Sequence, residues 1–257
     1  MEWDRDLRQP VETIRESEAG LTDLKGRGNG TVAFPDMRRG NVGVCVATLI
    51  AGTMKPKGPC ATWNSPPQAW AQTQGQLAWY RAMGEEGQLR QIRNRETLEL
   101  HLKEWAEDPE NCPIGYILSL EGADSIVTPE HLERSWENGL RALGPAHYGV
   151  GRYALGHDQD GPLPELGQQL LKEMDRLDLI LDTTHLCDQT FWDAMEVFEG
   201  PVWASHQACR AIVNNPRQFS DEQIRAIIER GGAQAADADA VEEAIEARLN
   251  AIDALCA

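Results

Sequence analysis

The 257-residue sequence predicts an α/β fold of the (β/α)8 TIM-barrel type, and three features indicate it. Short apolar runs alternate with helical patterns, as repeated βα units require. Several of these runs end in His or Glu, at the positions where the βα loops of a barrel meet. No Gly-x-Gly-x-x-Gly motif joins a strand to a helix, which disfavours a doubly wound nucleotide-binding sheet.

Five apolar runs are predicted to be parallel strands, because continuous apolar stretches of this length are typical of strands buried on both faces. They occupy residues 42–50, 114–120, 140–146, 179–184 and 201–205. A weaker sixth strand is predicted at 232–236.

Helices are predicted between and around these strands, from helical spacing and from residues that begin and end helices. They cover residues 10–19, 68–83, 96–105, 128–138, 188–200, 220–231 and 237–256. Asp188 is a candidate N-cap and Gly200 a candidate stop for the fifth of them. Ser220 and Gln223 have the spacing of a capping box at the start of the sixth.

Charge and cysteine usage restrict the class of protein. With 24 basic and 41 acidic residues the formal net charge is −17, which disfavours a nucleic-acid partner and an anionic membrane surface. The six cysteines form no Cys-x-x-Cys pair, as is usual in a reducing compartment. The acidic start lacks the basic region of a signal peptide, and no apolar stretch is long enough to span a membrane. We therefore expect a soluble cytoplasmic protein.

Three strand ends combine into a candidate metal site. The strand at 114–120 is followed by Glu121, the strand at 179–184 by His185, and the strand at 201–205 by His206. One carboxylate and two imidazoles suit zinc or a similar divalent ion and leave a position open for water, which the ion would activate for hydrolysis. The alternative is that each residue is structural, with the histidines satisfied within the fold and Glu121 in a cap or salt bridge.

Other polar residues allow two interpretations. His147 ends the strand at 140–146 and is either structural or part of the site. Arg217 follows a polar loop, where it is either solvated or a bidentate clamp for a substrate carboxylate. His101 and His131 fall on predicted helices and His157 in a loop, so these three histidines are not assigned to the site.

Four motifs together resemble the membrane dipeptidase (renal dipeptidase) family of zinc peptidases, which are amidohydrolase-like barrels. The resemblance runs from the start of the chain to about Gly232. The motifs are Tyr116-Ile-Leu-Ser-Leu-Glu-Gly-Ala-Asp124, Asp182-Thr-Thr-His-Leu-Cys-Asp-Gln-Thr-Phe-Trp192, Gly200-Pro-Val-Trp-Ala-Ser-His206 and Arg217-Gln-Phe-Ser-Asp-Glu-Gln-Ile224.

The resemblance implies roles for five residues. Two zinc ions would share Glu121, and His185 and His206 would hold one of them. His147 would polarise the substrate carbonyl, and Arg217 would bind the carboxylate of a dipeptide. The implied reaction is hydrolysis of a dipeptide by a metal-bound hydroxide, and family members are commonly homodimers.

The sequence also departs from the family pattern. The family's first-strand His-x-Asp motif and its last-strand aspartate motif have no counterpart in this sequence. We therefore expect one hydrolase barrel domain over 1–257, truncated at both ends, with strands 1 and 8 missing and one zinc site incomplete. The alternatives are a mononuclear hydrolase that uses Glu121, His185 and His206, and a catalytically impaired descendant that acts as a metal-binding or interaction protein.

Overall fold

The computed structural model describes residues 4–53 and 62–232. Its six described strands form one sheet in the order β1-β3-β4-β5-β6, with β2 beside the start of β3, and all of their pairings are parallel. The strands are β1 (Val44–Ile50), β2 (Leu89–Gln91), β3 (Ile114–Glu121), β4 (Leu140–Gly144), β5 (Ile180–Asp182) and β6 (Val202–Trp203). Within the described residues the sheet does not close, because β1 and β6 pair on one side only. The predicted α/β fold is confirmed, and the open sheet agrees with an incomplete barrel.

Eight α-helices are described around this sheet. They are α1 (Val11–Ser17), α2 (Phe34–Arg39), α3 (Pro66–Glu85), α4 (Arg95–Glu107), α5 (Leu132–Glu137), α6 (Glu165–Arg176), α7 (Asp188–Val197) and α8 (Asp221–Ile227). A π-helical turn over Ile228–Gly232 follows α8. None of the described helices is both long and apolar enough to cross a membrane.

One described strand and two described α-helices were not predicted from the sequence. Strand β2 has three residues and α2 has six, which are too few for a periodic pattern to be recognised. Helix α6 lies between β4 and β5 and carries its apolar residues on one face only. The expected helix over 237–256 lies outside the described residues, as does the sixth strand except for Gly232, which belongs to the π-helical turn.

The capping predictions had opposite outcomes. Ser220 and Gln223 form the expected capping box at the start of α8. The prediction for Asp188 was wrong, because Cys187 is the N-cap of α7 and no side chain caps that end. The Asp188 carboxylate instead accepts hydrogen bonds from Arg210, with both oxygens at 2.7 Å, and from Gln223 at 3.2 Å. The helix also ends at Val197, before Gly200.

The core is built on β3, which pairs with three strands. Its side chains Ile114, Leu118 and Leu120 are at most 2% exposed and pack in one cluster with residues of β4, β5, α6 and α7. Burying such side chains contributes about 1.5–3 kcal/mol each to folding. A well-packed β3 gives the residues at its carboxyl end a rigid support.

Candidate metal centre

The carboxyl ends of four neighbouring strands supply the candidate site. Glu121 is the last residue of β3. Each of the three histidines lies three residues beyond the end of its strand: His147 after Gly144, His185 after Asp182 and His206 after Trp203. Because parallel strands end at the same edge of a sheet, the turns that follow them bring these side chains together.

Backbone conformation in two turns aims the side chains. Gly122 has φ 77°, and a Cβ there would lie 3.4 Å from Cβ of His147, so glycine suits this close approach. His185 itself has φ 74°, which is uncommon for a residue with a side chain. Such a conformation costs on the order of 1–3 kcal/mol and is most often found at functional sites.

Asp182 joins the two turns that carry His185 and His206. Its Oδ1 accepts hydrogen bonds from the backbone N–H of Thr184, at 3.1 Å, and of Ser205, at 3.2 Å. A single buried carboxylate therefore holds the residue before each histidine. The two imidazoles are fixed relative to each other through the backbone.

Three donor atoms converge at the centre of the site. Oε1 of Glu121 lies 2.8 Å from Nε2 of His185 and 3.1 Å from Nε2 of His206. The two Nε2 atoms are 3.1 Å apart. A triangle of this size allows a cation to lie about 2 Å from all three atoms, on either side of their plane, and about 2 Å is the bond length of zinc to imidazole nitrogen and carboxylate oxygen. All three residues predicted as ligands are brought together, and as a donor set they fit one divalent cation.

His147 lies at the edge of the same cluster. Its Nε2 is 3.6 Å from Oε1 of Glu121. Potential ligand atoms of Glu121, His147 and His185 all lie within 4.8 Å of one another. His147 is therefore positioned either to act as a further metal ligand or to lie next to a cation bound by the other three residues. His206 makes the shorter contacts and completes the tighter triangle.

Burial and mutual charge determine the protonation of these groups. Burial alone would raise the pKa of the Glu121 carboxyl, but hydrogen bonds from His185 and His206 outweigh it and hold that pKa well below its usual range. Burial, assisted by the neighbouring His185, lowers the pKa of His147 to about 4. Burial also lowers the pKa of His185. Near neutral pH Glu121 is therefore a carboxylate, and the imidazoles of His147 and His185 are unprotonated, which are the forms that bind metal.

Arg217 reaches the site from the loop before α8. Its Nη2 lies 3.4 Å from Nε2 of His185 and donates to the backbone oxygen of His206 at 3.1 Å. The Gln207 side chain accepts from its Nη1 and donates back to the Arg217 backbone oxygen. This places a guanidinium beside the donor atoms, as its assignment to the site requires.

Two aromatic residues at the site were not predicted. His157 places Nδ1 3.3 Å from Nδ1 of His185, on the side of the ring away from Glu121. The Tyr148 ring lies 4.6, 4.9 and 5.3 Å from the rings of His147, His157 and His185. Both residues belong to the loop between β4 and α6, and its position after a strand that ends in histidine was the available signal.

The remaining histidines lie elsewhere, as expected. Nε2 of the buried His101 is 2.8 Å from the backbone oxygen of Gly43. The His131 ring packs edge-on against Trp70 at 4.4 Å. Neither contact involves a residue of the candidate site.

Comparison with known proteins identifies a family. Residues 6–241 match the model of the family described as membrane dipeptidase, peptidase family M19. An uncharacterized protein of Acinetobacter calcoaceticus is 25% identical over 139 residues, which cover 49% of this chain and 44% of that protein. The chain spans about half the length of the curated relatives that it matches.

Solved structures share the fold. A probable dipeptidase from Pseudomonas aeruginosa superposes with a TM-score of 0.66 at 18% identity, over 89% of this chain and 62% of that chain. The dipeptidase AC, a metallo peptidase of family M19, superposes with a TM-score of 0.64 at 26% identity, over 87% of this chain and 66% of that chain.

Proposed function

This chain belongs to the membrane dipeptidase family, peptidase family M19, and from this premise we propose that it acts as a zinc-dependent dipeptidase. The observation that carries the proposal is the convergence of Glu121 Oε1, His185 Nε2 and His206 Nε2 within 2.8–3.1 Å of one another. Two imidazoles and one carboxylate are the ligand set of many hydrolytic zinc sites.

In this proposal the ion is held by Glu121, His185 and His206. Glu121 is also proposed to be catalytic, because it lies at the reacting centre. When bound, zinc supplies Lewis acidity to a peptide carbonyl and to water. The protein supplies rigid placement, because the ligands stand on adjacent strand ends and on turns that Asp182 joins. Placement of this kind lowers the barrier by orienting the reacting groups before the reaction.

His147 is proposed to orient and polarise the substrate carbonyl. A pKa of about 4 keeps its imidazole neutral at physiological pH. A neutral imidazole carries one N–H, which can donate to the carbonyl oxygen as negative charge develops there. Nε2 of His147 stands 3.6 Å from Oε1 of Glu121, within reach of a group bound at the cation.

Arg217 is proposed to bind the carboxylate of the dipeptide. Its guanidinium lies 3.4 Å from His185, so a carboxylate bound there would stand close to the reacting centre. This distance suits a short substrate, in which the free carboxylate is separated from the scissile bond by one residue. Bidentate pairing with arginine would add orientation as well as affinity.

A second function remains as an alternative, namely a mononuclear or catalytically impaired family member that binds metal or a partner. In its favour, the donor atoms of Glu121, His185 and His206 fit one cation, and His147 lies at the edge of the same cluster. We further propose a reducing cytoplasmic location, which is supported by the unpaired cysteines among the described residues, namely Cys45, Cys112, Cys187 and Cys209. A homodimer is proposed from the family resemblance.

The test measures zinc content and dipeptide hydrolysis in the same preparations. We expect the dialysed chain to retain zinc and to hydrolyse L-Ala-D-Ala, and Glu121→Gln to lose both. Glu130→Gln is the matched control, because Glu130 is an exposed carboxylate outside the site. Retained zinc without hydrolysis would favour the alternative, and equal zinc content in both variants would contradict the site itself.

A further inference from the structure

We propose that His157 is a positioning residue for His185, accepting a hydrogen bond from its Nδ1 and so directing its Nε2 to the metal. The two Nδ1 atoms are 3.3 Å apart. This inference rests on the proposed function, in which His185 is a zinc ligand. It assigns a role to a histidine that the sequence pattern did not place in the site.

When a metal ion replaces the hydrogen bond between Nε2 of His185 and Glu121, the protonation of His185 requires such a partner. A neutral imidazole has one ring proton. Metal binding at Nε2 needs that nitrogen unprotonated, so the proton must lie on Nδ1. His185 is 3% exposed, so its Nδ1–H needs an acceptor within the protein. Among the described residues, the group within hydrogen-bond distance of this nitrogen is Nδ1 of His157, which accepts when the proton of His157 lies on Nε2.

Backbone pairing places the two rings side by side. The loop between β4 and α6 forms an antiparallel bridge between Gly156 and Leu186. The backbone N–H of Cys187 also donates to the oxygen of Leu155 at 3.1 Å. In this register the next pair is His157 and His185. A Cβ on Gly156 would come 2.1 Å from the backbone oxygen of His147, so the close approach of this loop depends on glycine.

Two further contacts support a positioning role over a ligand role. His157 approaches the Nδ1 side of the His185 ring, whereas Glu121 and His206 approach the Nε2 side. It therefore faces away from the point where the three donors converge. Ser205 stands in the corresponding position for the other histidine, with Oγ 2.7 Å from Nδ1 of His206. Both histidine ligands thus have an outer partner, as ligating histidines almost always do.

The test compares the Zn²⁺ affinity of three variants by competition with a chelating dye. His157→Asn places an oxygen near the position of Nδ1, and His157→Leu has similar size without an acceptor. His157→Gln moves the acceptor one carbon further out. We expect affinity close to that of the wild type for Asn and a loss of roughly ten- to hundredfold for Leu. The Zn²⁺ affinity of the Gln variant should be lower than that of the Asn variant. Comparison of these two variants therefore tests the proposal even if the Leu variant does not fold.

A spectroscopic readout separates positioning from general destabilisation. In the zinc-loaded wild type, ¹⁵N NMR should show the His185 proton on Nδ1 and protected from exchange. His157→Gln should lose that protection, and His157→Asn should keep it. Equal affinity and equal protection in all variants would overturn the inference. Loss of a full zinc equivalent in all three would overturn it too, by making His157 a ligand. A wild type that binds no zinc would overturn the proposed function together with this inference.

Discussion

Nε2 of His185 lies 2.8 Å from Oε1 of Glu121, although the two residues are 64 positions apart in the chain. Their strands are not neighbours, because β4 lies between β3 and β5. Strands separated in this way are about 10 Å apart. The contact therefore depends on the turns beyond the strands, where Gly122 and His185 have positive φ.

Zinc should stabilise the folded chain through this contact. Ligands that bind only the native state stabilise it by about 2.7 kcal/mol at a concentration one hundred times the Kd. Thermal unfolding with and without zinc should show this as an increase in Tm. The increase should disappear in His206→Ala and persist in His131→Ala, since His131 packs against Trp70 outside the site. If zinc raises the Tm of His206→Ala as much as that of the wild type, His206 is not a metal ligand.

Substitution of Arg217 should weaken the binding of substrate while leaving the metal in place. Hydrogen bonds to charged groups contribute about 1.5–3 kcal/mol, so Arg217→Gln should raise KM for a dipeptide roughly ten- to hundredfold. A dipeptide amide, which lacks the carboxylate, should show little change between variant and wild type. Steady-state kinetics on both substrates measures this difference.

The control for that experiment is Arg95→Gln, because Arg95 is a solvent-exposed arginine outside the site. It should leave both KM values unchanged. If Arg217→Gln raises KM equally for the dipeptide and its amide, or releases zinc, Arg217 supports the site and does not bind the carboxylate.

Acidification should lower the free energy of unfolding of the metal-free chain at pH values that are still too high to protonate most carboxylates. Burial is the main cause that lowers the pKa of His147 from 6.5 to about 4, so between these pH values the unfolded chain binds a proton that the folded chain does not. The free energy of unfolding must therefore fall as the pH falls through this window. At pH 5 we expect a loss of about 1–2 kcal/mol relative to pH 7, after allowance for partial exposure.

Urea unfolding of the metal-free chain at several pH values measures this loss. The variant His147→Gln should show a shallower dependence between pH 7 and pH 5. Glu121 acts in the same direction at lower pH, because its pKa is also held below the usual value by hydrogen bonds that outweigh burial. Identical pH dependence in variant and wild type would show that His147 does not carry the effect.

Two helical glycines should respond oppositely to alanine. At Gly167 in α6 a Cβ would lie 2.0 Å from the backbone oxygen of Tyr153, so Gly167→Ala should cost roughly 1–3 kcal/mol of unfolding free energy. At Gly84 in α3 the nearest atom is the backbone oxygen of Leu89 at 3.6 Å, an ordinary contact. There Gly84→Ala should stabilise by about 0.5–1 kcal/mol through helix propensity. Urea unfolding should separate the two, and a neutral Gly167→Ala would mean that α6 can shift away from Tyr153.

Local patterns account for what the sequence predicted correctly. Continuous apolar runs identify β1, β3, β4, β5 and β6, because a strand that packs in the core leaves an apolar signature within its own segment. Burial on both faces holds for most of β3 but not for β1, in which Val46 is exposed. The residues that follow these runs could then be assigned to one edge of a parallel sheet. Strand-end position alone therefore predicts that Glu121, His185 and His206 lie together.

Tertiary structure decided the features that depend on residues far apart in the chain. The sequence pattern predicts Asp188 as a helix cap. In the folded chain its carboxylate instead accepts hydrogen bonds from Arg210 and Gln223. The loop that holds His157 has no periodicity, and only its bridge from Gly156 to Leu186 brings it beside His185. A local sequence pattern indicates which residues are buried, whereas the pairing of distant backbone segments determines which polar groups come into contact. The sequence by itself thus determined the strands and the donor types, and folding determined the partner of each donor.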